Sequence, residues 1–279
     1  MNNLLVFQSD FGLDDGAVSA MEGVSFGVSP SLNIRHLTHG ITPFNTFEAS
    51  YRLYQTINYW PEGTVFVSIV DPGVGSDRLS TVAKTKTGQY VVTPNNGTLT
   101  HINKFVGIEE VRVIDETKNR LKGSGMSYTF HGRDVYAYTG ARLASNTITF
   151  EEVGPEVSLD KIEMLELYGT KIKDNTVSGQ IDILDVRFGS LWTSIDFDSF
   201  KSLGFEFGDS CNVQIFNASK CVYEADIIYG HSFADVNIGA PVVYMNSVNH
   251  MAVAINQGNF ADAYRIGVGS AWTIKMRKK

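Results

Sequence analysis

Residues 63–78 read GTVFVSIVDPGVGSDR, and the interpretation of that stretch decides the fold. Thr64 to Val70 is an apolar run rich in Val and Ile, the composition of a buried strand. Asp71-Pro72-Gly73-Val74-Gly75 stops it, because proline donates no ladder hydrogen bond and glycine lets backbone approach a ligand closely. Arg78 lies just beyond. A carboxylate at the end of a buried strand, followed by a tight loop, is where open α/β sheets place their chemistry. Asp-Pro-Gly is also an ordinary turn, and alone it says no more than that.

To either side of this stretch, strands alternate with helices. Leu4–Phe7 and Leu32–Leu37 read as strands, and 14–21 as a helix with an acidic first turn, Asp14 and Asp15. Asn45–Tyr59 reads as a helix with Phe47, Tyr51, Leu53, Tyr54 and Ile57 on or near one face. Leu79–Thr85 and Gln89–Val92 form a hairpin pattern around Lys86-Thr87-Gly88. A helix near Thr98–Phe105 and a strand near Val111–Ile114 follow, and Phe130-His131-Gly132-Arg133-Asp134 opens a helix over Val135–Ala144. This alternation predicts an α/β domain, a mostly parallel sheet with helices on both faces. Residues 154–178 are polar and turn-rich, with no helix pattern. Short strands then dominate: Gly179–Asp185, Leu191–Ile195, Ser210–Phe216, Cys221–Ile227, Pro241–Asn246, Met251–Asn256 and Ala271–Met276. That is the pattern of a small all-β antiparallel barrel or sandwich. The expected domains are residues 1–162 and 172–279.

Composition excludes several classes. The 279 residues are 43% hydrophobic and 19% charged, as in globular chains. Net charge is −7, and the basic residues cluster only at Lys275, Arg277, Lys278 and Lys279, which argues against a nucleic-acid partner. No apolar run reaches the length of a membrane span, and the N-terminus lacks the charged region and cleavage site of a signal peptide. Cys211 and Cys221 make neither a disulfide framework nor a metal cluster. The expectation is a soluble, cytoplasmic protein with no membrane partner.

Asp10, Asp71 and Asn95 with Asn96 stand at strand ends beside glycine, and His131 at a loop-to-helix junction. In a parallel sheet such ends face one rim, so these groups can converge. Each also has a plainer role: helix cap, turn residue or buried structural histidine. Asp10, Asp14 and Asp15 resemble the carboxylate cluster of calcium-dependent nucleoside hydrolases, and oxygen-rich clusters do bind calcium. That family has a further Asp where this chain has Gln8. Asp10 can instead accept both hydroxyls of a ribose diol.

Several motifs then occur in order: Ser9-Asp10-Phe11-Gly12, Asp71 to Gly75 with Arg78, Pro94-Asn95-Asn96-Gly97, and Phe130-His131-Gly132-Arg133-Asp134. Phe188-Gly189-Ser190-Leu191-Trp192-Thr193, Asn246-Ser247 and Ala254 to Asn259 complete the series. Together they resemble the S-adenosyl-L-methionine (SAM) hydroxide adenosyltransferases, relatives of the fluorinating and chlorinating SAM enzymes. The resemblance implies an α/β catalytic domain and a β-barrel domain that completes the site. It implies a homotrimer with sites at subunit interfaces, and SAM as substrate with no cofactor and no metal. Asp71, Arg78 and His131 match the water-activating set, and the halide enzymes' pattern is absent at Asp71 and His131. Asp10 would hold the ribose hydroxyls. Asp15, Asp185 and Ser247 would lie near the methionine ammonium and carboxylate. Phe44 and Phe188, joined by Tyr244, would line the nucleoside pocket, and Ser190 and Asn256 would lie by the adenine. Ser190 stands where the family usually has Asn, and Val248 where the fluorinase has Arg.

The implied reaction is hydrolysis of SAM to adenosine and L-methionine. A sulfonium leaves as neutral thioether, so the leaving group needs no acid; the water nucleophile must be oriented and partly deprotonated. The alternatives are a calcium-dependent nucleoside hydrolase and a non-catalytic SAM or adenosine sensor.

Overall fold

Strand and helix alternate from Leu4 to Ala144: β1 (Leu4–Ser9), α1 (Ala17–Val28), β2 (Asn33–Thr38), α2 (Thr46–Ile57), β3 (Val65–Ile69), β4 (Ser80–Thr85), β5 (Tyr90–Pro94), α3 (Thr100–Phe105), β6 (Ile108–Val113), and a π-helical segment (Gly132–Ala137) running into α4 (Tyr138–Ala144). A two-residue edge strand, β7 (Glu156–Val157), follows. The structure, a computed structural model, describes residues 2–279 and divides into two compact units between Leu165 and Glu166.

The first unit holds one sheet in the order β2-β1-β3-β5-β4-β6-β7. β2, β1, β3 and β5 are parallel. β4 is antiparallel to both β5 and β6, so β6 runs with the parallel set and the sheet is mostly parallel. Residues on a strand alternate between faces, and β3 shows why this sheet needs helices on both. Every residue of β3 is buried. Val65, Val67 and Ile69 pack with Val18, Met21, Val135 and Ala141. Phe66 packs on the opposite face with Leu53, Ile57 and Ile102. Gly140 of α4 allows the first of these layers to close, since a Cβ there would lie 2.4 Å from Val67 Cγ2. Asn45 caps α2, its side chain accepting from the Glu48 N–H at 3.0 Å.

The first helix differs from expectation. It begins at Ala17, leaving Asp14 and Asp15 in the preceding loop. The Asp15 carboxylate accepts the N–H of Ala17 at 2.8 Å, a local turn that competes with helix.

The second unit contains β8 (Lys171–Lys173), β9 (Thr176–Leu184), β10 (Leu191–Asp196), α5 (Phe197–Lys201), β11 (Ser210–Asn217), β12 (Lys220–Tyr229), β13 (Pro241–Met245), β14 (His250–Ile255), α6 (Phe260–Tyr264) and β15 (Trp272–Lys278). β10 pairs with both β14 and β9, which closes β9-β10-β14-β13-β12-β11-β15 into a seven-stranded barrel. Val213, Ile215, Ile274, Phe200 and Tyr229 are among the residues filling its core. The barrel is not wholly antiparallel as expected: β12 and β13 pair in parallel, joined by the crossover through 230–240. Asp174 and Asn175 both adopt positive φ, 50° and 53°, which fits the tight β8–β9 hairpin. Cys211 is buried, Cys221 exposed, and both are unlinked. Among the described residues no helix is long and apolar enough to cross a membrane.

Candidate active site

In the first unit the ends of β1 and β3 and the start of the π-helical segment surround a hollow of about 260 Å³. Asp10, Phe11, Phe44, Asp71, Phe130 and His131 are among its lining residues. Three of the strand-end and junction residues singled out from sequence therefore meet.

Asp71 ends β3. Two tight turns follow, Val74 N–H to Asp71 carbonyl at 3.2 Å and Ser76 N–H to Gly73 carbonyl at 3.0 Å, and Gly75 takes φ +80°. They return the chain so that Arg78 donates through Nε to Asp71 Oδ1 at 2.6 Å and through Nη2 to Oδ2. Both side chains are largely buried. A bidentate guanidinium–carboxylate pair fixes orientation as well as charge.

Asp10 follows β1 directly. Its Oδ2 accepts the backbone N–H of Phe44 at 2.9 Å, leaving acceptor capacity for other donors. Phe44 has φ +68° and is 71% exposed, so a large aromatic ring is held outward in a backbone region that side chains seldom occupy. The loop is tied from behind. Ser9 Oγ contacts His39 Nδ1 at 2.7 Å, His39 Nε2 contacts His36 Nδ1 at 2.7 Å, and His36 Nε2 meets Glu22 at 2.8 Å.

His131 sits at the N-terminal end of the π-helical segment, a helix form enriched at functional sites. It is buried, and burial is the main cause that lowers its pKa below the ordinary histidine value. A neutral imidazole can accept a proton. Its Nε2 lies 4.0 Å from Glu116 Oε2, and its Nδ1 is buried without a hydrogen-bond partner among the described residues.

Asn95 and Asn96 belong to the scaffold and not to the hollow. Asn95 donates to the Lys161 carbonyl and accepts from the Glu163 N–H, and Asn96 donates to the Val70 carbonyl. Asp15 is engaged in its own turn and does not line the hollow. Among the described residues no three His, Cys, Asp or Glu side chains form a metal-holding group, so Asp10, Asp14 and Asp15 do not converge. The sequence reading missed Glu116, Ser80 and Tyr136. Glu116 stands in Ile114-Asp115-Glu116 just past β6, the same carboxylate-after-strand cue that singled out Asp71.

The barrel carries its own hollow of about 650 Å³, lined by Asp185, Phe188, Ser190, Phe233, Asn256 and Asn259 among others. Phe188 is 66% exposed. Tyr244 lies behind the lining, its ring 5.0 Å from that of Phe233. Burial raises its pKa, so the phenol stays protonated. Ser247 is an exposed residue in the β13–β14 turn and does not line this hollow.

An α/β unit with a carboxylate–guanidinium pair and an imidazole at its strand ends, followed by a seven-stranded barrel, defines a two-domain class of protein. Residues 5–154 match the family model of the SAM hydroxide adenosyltransferase N-terminal domain, and residues 179–273 that of the C-terminal domain. The chain belongs to the SAM hydroxide adenosyltransferase family. A Methanocaldococcus jannaschii protein named (R)-S-adenosyl-L-methionine hydrolase is 34% identical over 76% of this chain and 73% of its own. A protein of Actinoplanes named fluorinase is 27% identical over 98% of this chain and 97% of its own. The crystal structure of an uncharacterized conserved protein from Thermotoga maritima superposes with a TM-score of 0.90 at 32% identity, covering 98% of this chain and 100% of that one.

Proposed function

We propose that the protein hydrolyses SAM to adenosine and L-methionine by attack of water at ribose C5′, without a metal. The observation that carries this is the meeting of Asp10, Asp71 and His131 around one hollow, with Arg78 paired to Asp71. The water oxygen forms a bond to C5′ as the C5′–S bond breaks. The bonding pair stays on sulfur, which becomes the neutral thioether of methionine. The water's proton goes to His131, because both Asp71 oxygens already accept from Arg78. Asp71 orients the water and supplies negative charge opposite the sulfonium. Positioning of this kind contributes up to ~7–11 kcal/mol in favourable cases, and the base a further ~10²–10⁴-fold.

The remaining acceptor capacity of Asp10 suits the ribose 2′- and 3′-hydroxyls. Phe44 and Phe188 offer exposed rings for stacking on the nucleoside. Asp185 suits the methionine ammonium, and Ser190 and Asn256 can hydrogen-bond adenine. Asp15 and Ser247 would reach the amino acid only from outside these hollows. We further propose, on the family resemblance, a homotrimer pairing the α/β unit of one copy with the barrel of another; each hollow is bordered by an exposed aromatic ring that such a partner could cover. Light scattering should give three chain masses, and a monomer would remove that part of the reading.

Incubation with SAM followed by chromatography tests the reaction. Equal amounts of adenosine and methionine are expected. Unchanged, bound SAM would mean a sensor. Free adenine or ribose released from nucleosides would mean a nucleoside hydrolase.

A further inference from the structure

We propose that Glu116 is a positioning residue for His131, its carboxylate facing the imidazole and stabilising the imidazolium that forms when the water's proton arrives. This rests on the hydrolase reading above. Glu116 is not a loose surface acid. Its Oε1 accepts from Ser80 Oγ at 3.3 Å, and its Oε2 accepts from Arg120 at 2.8 Å while lying 4.0 Å from His131 Nε2. Buried Ser80 also lies 3.4 Å from Arg78 Nη1 and 3.1 Å from the Tyr136 hydroxyl. Glu116 is thereby in one polar network with the Asp71–Arg78 pair, although it is far from both in sequence.

Four charged groups act on His131: Asp71 and Arg78 from the β3–β4 segment, and Glu116 and Arg120 from the segment after β6. The first two pair with each other, and Arg120 pairs with Glu116. Arg120 also donates to the Ser127 carbonyl at 2.9 Å and lies over the Tyr128 ring, whose centroid is 6.0 Å from that of His131. Without the Glu116 carboxylate, an imidazolium at position 131 would face the Arg120 guanidinium unpaired. No described residue accepts a hydrogen bond from Nδ1 on the ring's other side. Of the two carboxylates that favour a proton on His131, Glu116 acts more strongly and Asp71 less, and Glu116 is the one whose oxygen lies 4.0 Å from Nε2.

Glu116→Gln keeps the shape and one acceptor oxygen but removes the charge. It should lower kcat about tenfold or more, leave KM for SAM within about twofold, and move the acid limb of the kcat–pH profile to lower pH. The direction follows because the carboxylate raises the proton affinity of His131. Glu116→Asp, which keeps the charge, should restore most of the acid limb. Arg120→Gln should move His131 titration the opposite way, upward. NMR titration of the His131 ring reads these shifts without turnover, so it separates failure of this assignment from failure of the hydrolase reading. Unchanged His131 titration in folded Glu116→Gln would overturn the proposal. So would a kcat loss with an unmoved acid limb, or no upward shift in Arg120→Gln.

Discussion

Both carboxylate oxygens of Asp71 accept hydrogen bonds from the single guanidinium of Arg78. Residues seven positions apart meet because the Pro72–Gly75 turns fold the chain back on the end of β3. A carboxylate held this way keeps its direction, and both its oxygens are already engaged. In the proposed reaction the labour divides accordingly: Asp71 orients the water, and His131 accepts its proton.

Asp71→Asn should therefore keep SAM binding and lower adenosine release by at least ~10²-fold, and His131→Ala should do the same. Binding by calorimetry and turnover by chromatography check both, with melting curves to confirm that each variant folds. Turnover like the parent's in either folded variant would refute the division of labour.

Acid should weaken the fold through the histidine chain behind Asp10. Burial, helped by neighbouring His36, lowers the pKa of His39 from 6.5 to about 4. Between those values the unfolded chain binds the proton and the folded one resists it. Stability is thus retained above about pH 6.5 and lost as pH falls toward 4, by on the order of 3 kcal/mol in full. Urea midpoints at pH 7 and 4.5 should differ accordingly. The difference should shrink in His39→Gln, and an undiminished difference there would assign the acid sensitivity elsewhere.

Chelation supplies a third check. In the proposed reaction the thioether leaves without a Lewis acid and His131 takes the proton, so activity in excess EDTA should equal that without it. Loss on chelation with recovery on adding calcium would favour the nucleoside hydrolase reading.

Much of this was legible in the sequence because the signals are local. The run to Asp71 and its glycine turn marks a buried central strand by composition alone, and β3 is buried throughout. The seven barrel strands were legible as short apolar runs and the resemblance implied the barrel, but the pairing that closes it was not, since β9–β10 and β12–β13 contacts lie beyond any short window. Asp15 was misplaced in a helix because its carboxylate captures its own backbone two residues on, a competition that pattern reading does not resolve. Asp10, Asp71 and His131 could be singled out as strand-end and junction groups. Glu116 carried the same cue but belonged to no recognised motif, and only the network through Ser80 and Arg120 sets it apart.

The central claim is that solvent oxygen is delivered to the ribose carbon. Turnover of SAM in water enriched with heavy oxygen, followed by mass spectrometry of the products, tests it most directly. The label should appear once, in the 5′-hydroxyl of adenosine, with unlabelled methionine. Unlabelled adenosine, label in homoserine with methylthioadenosine as co-product, or no turnover at all would contradict it.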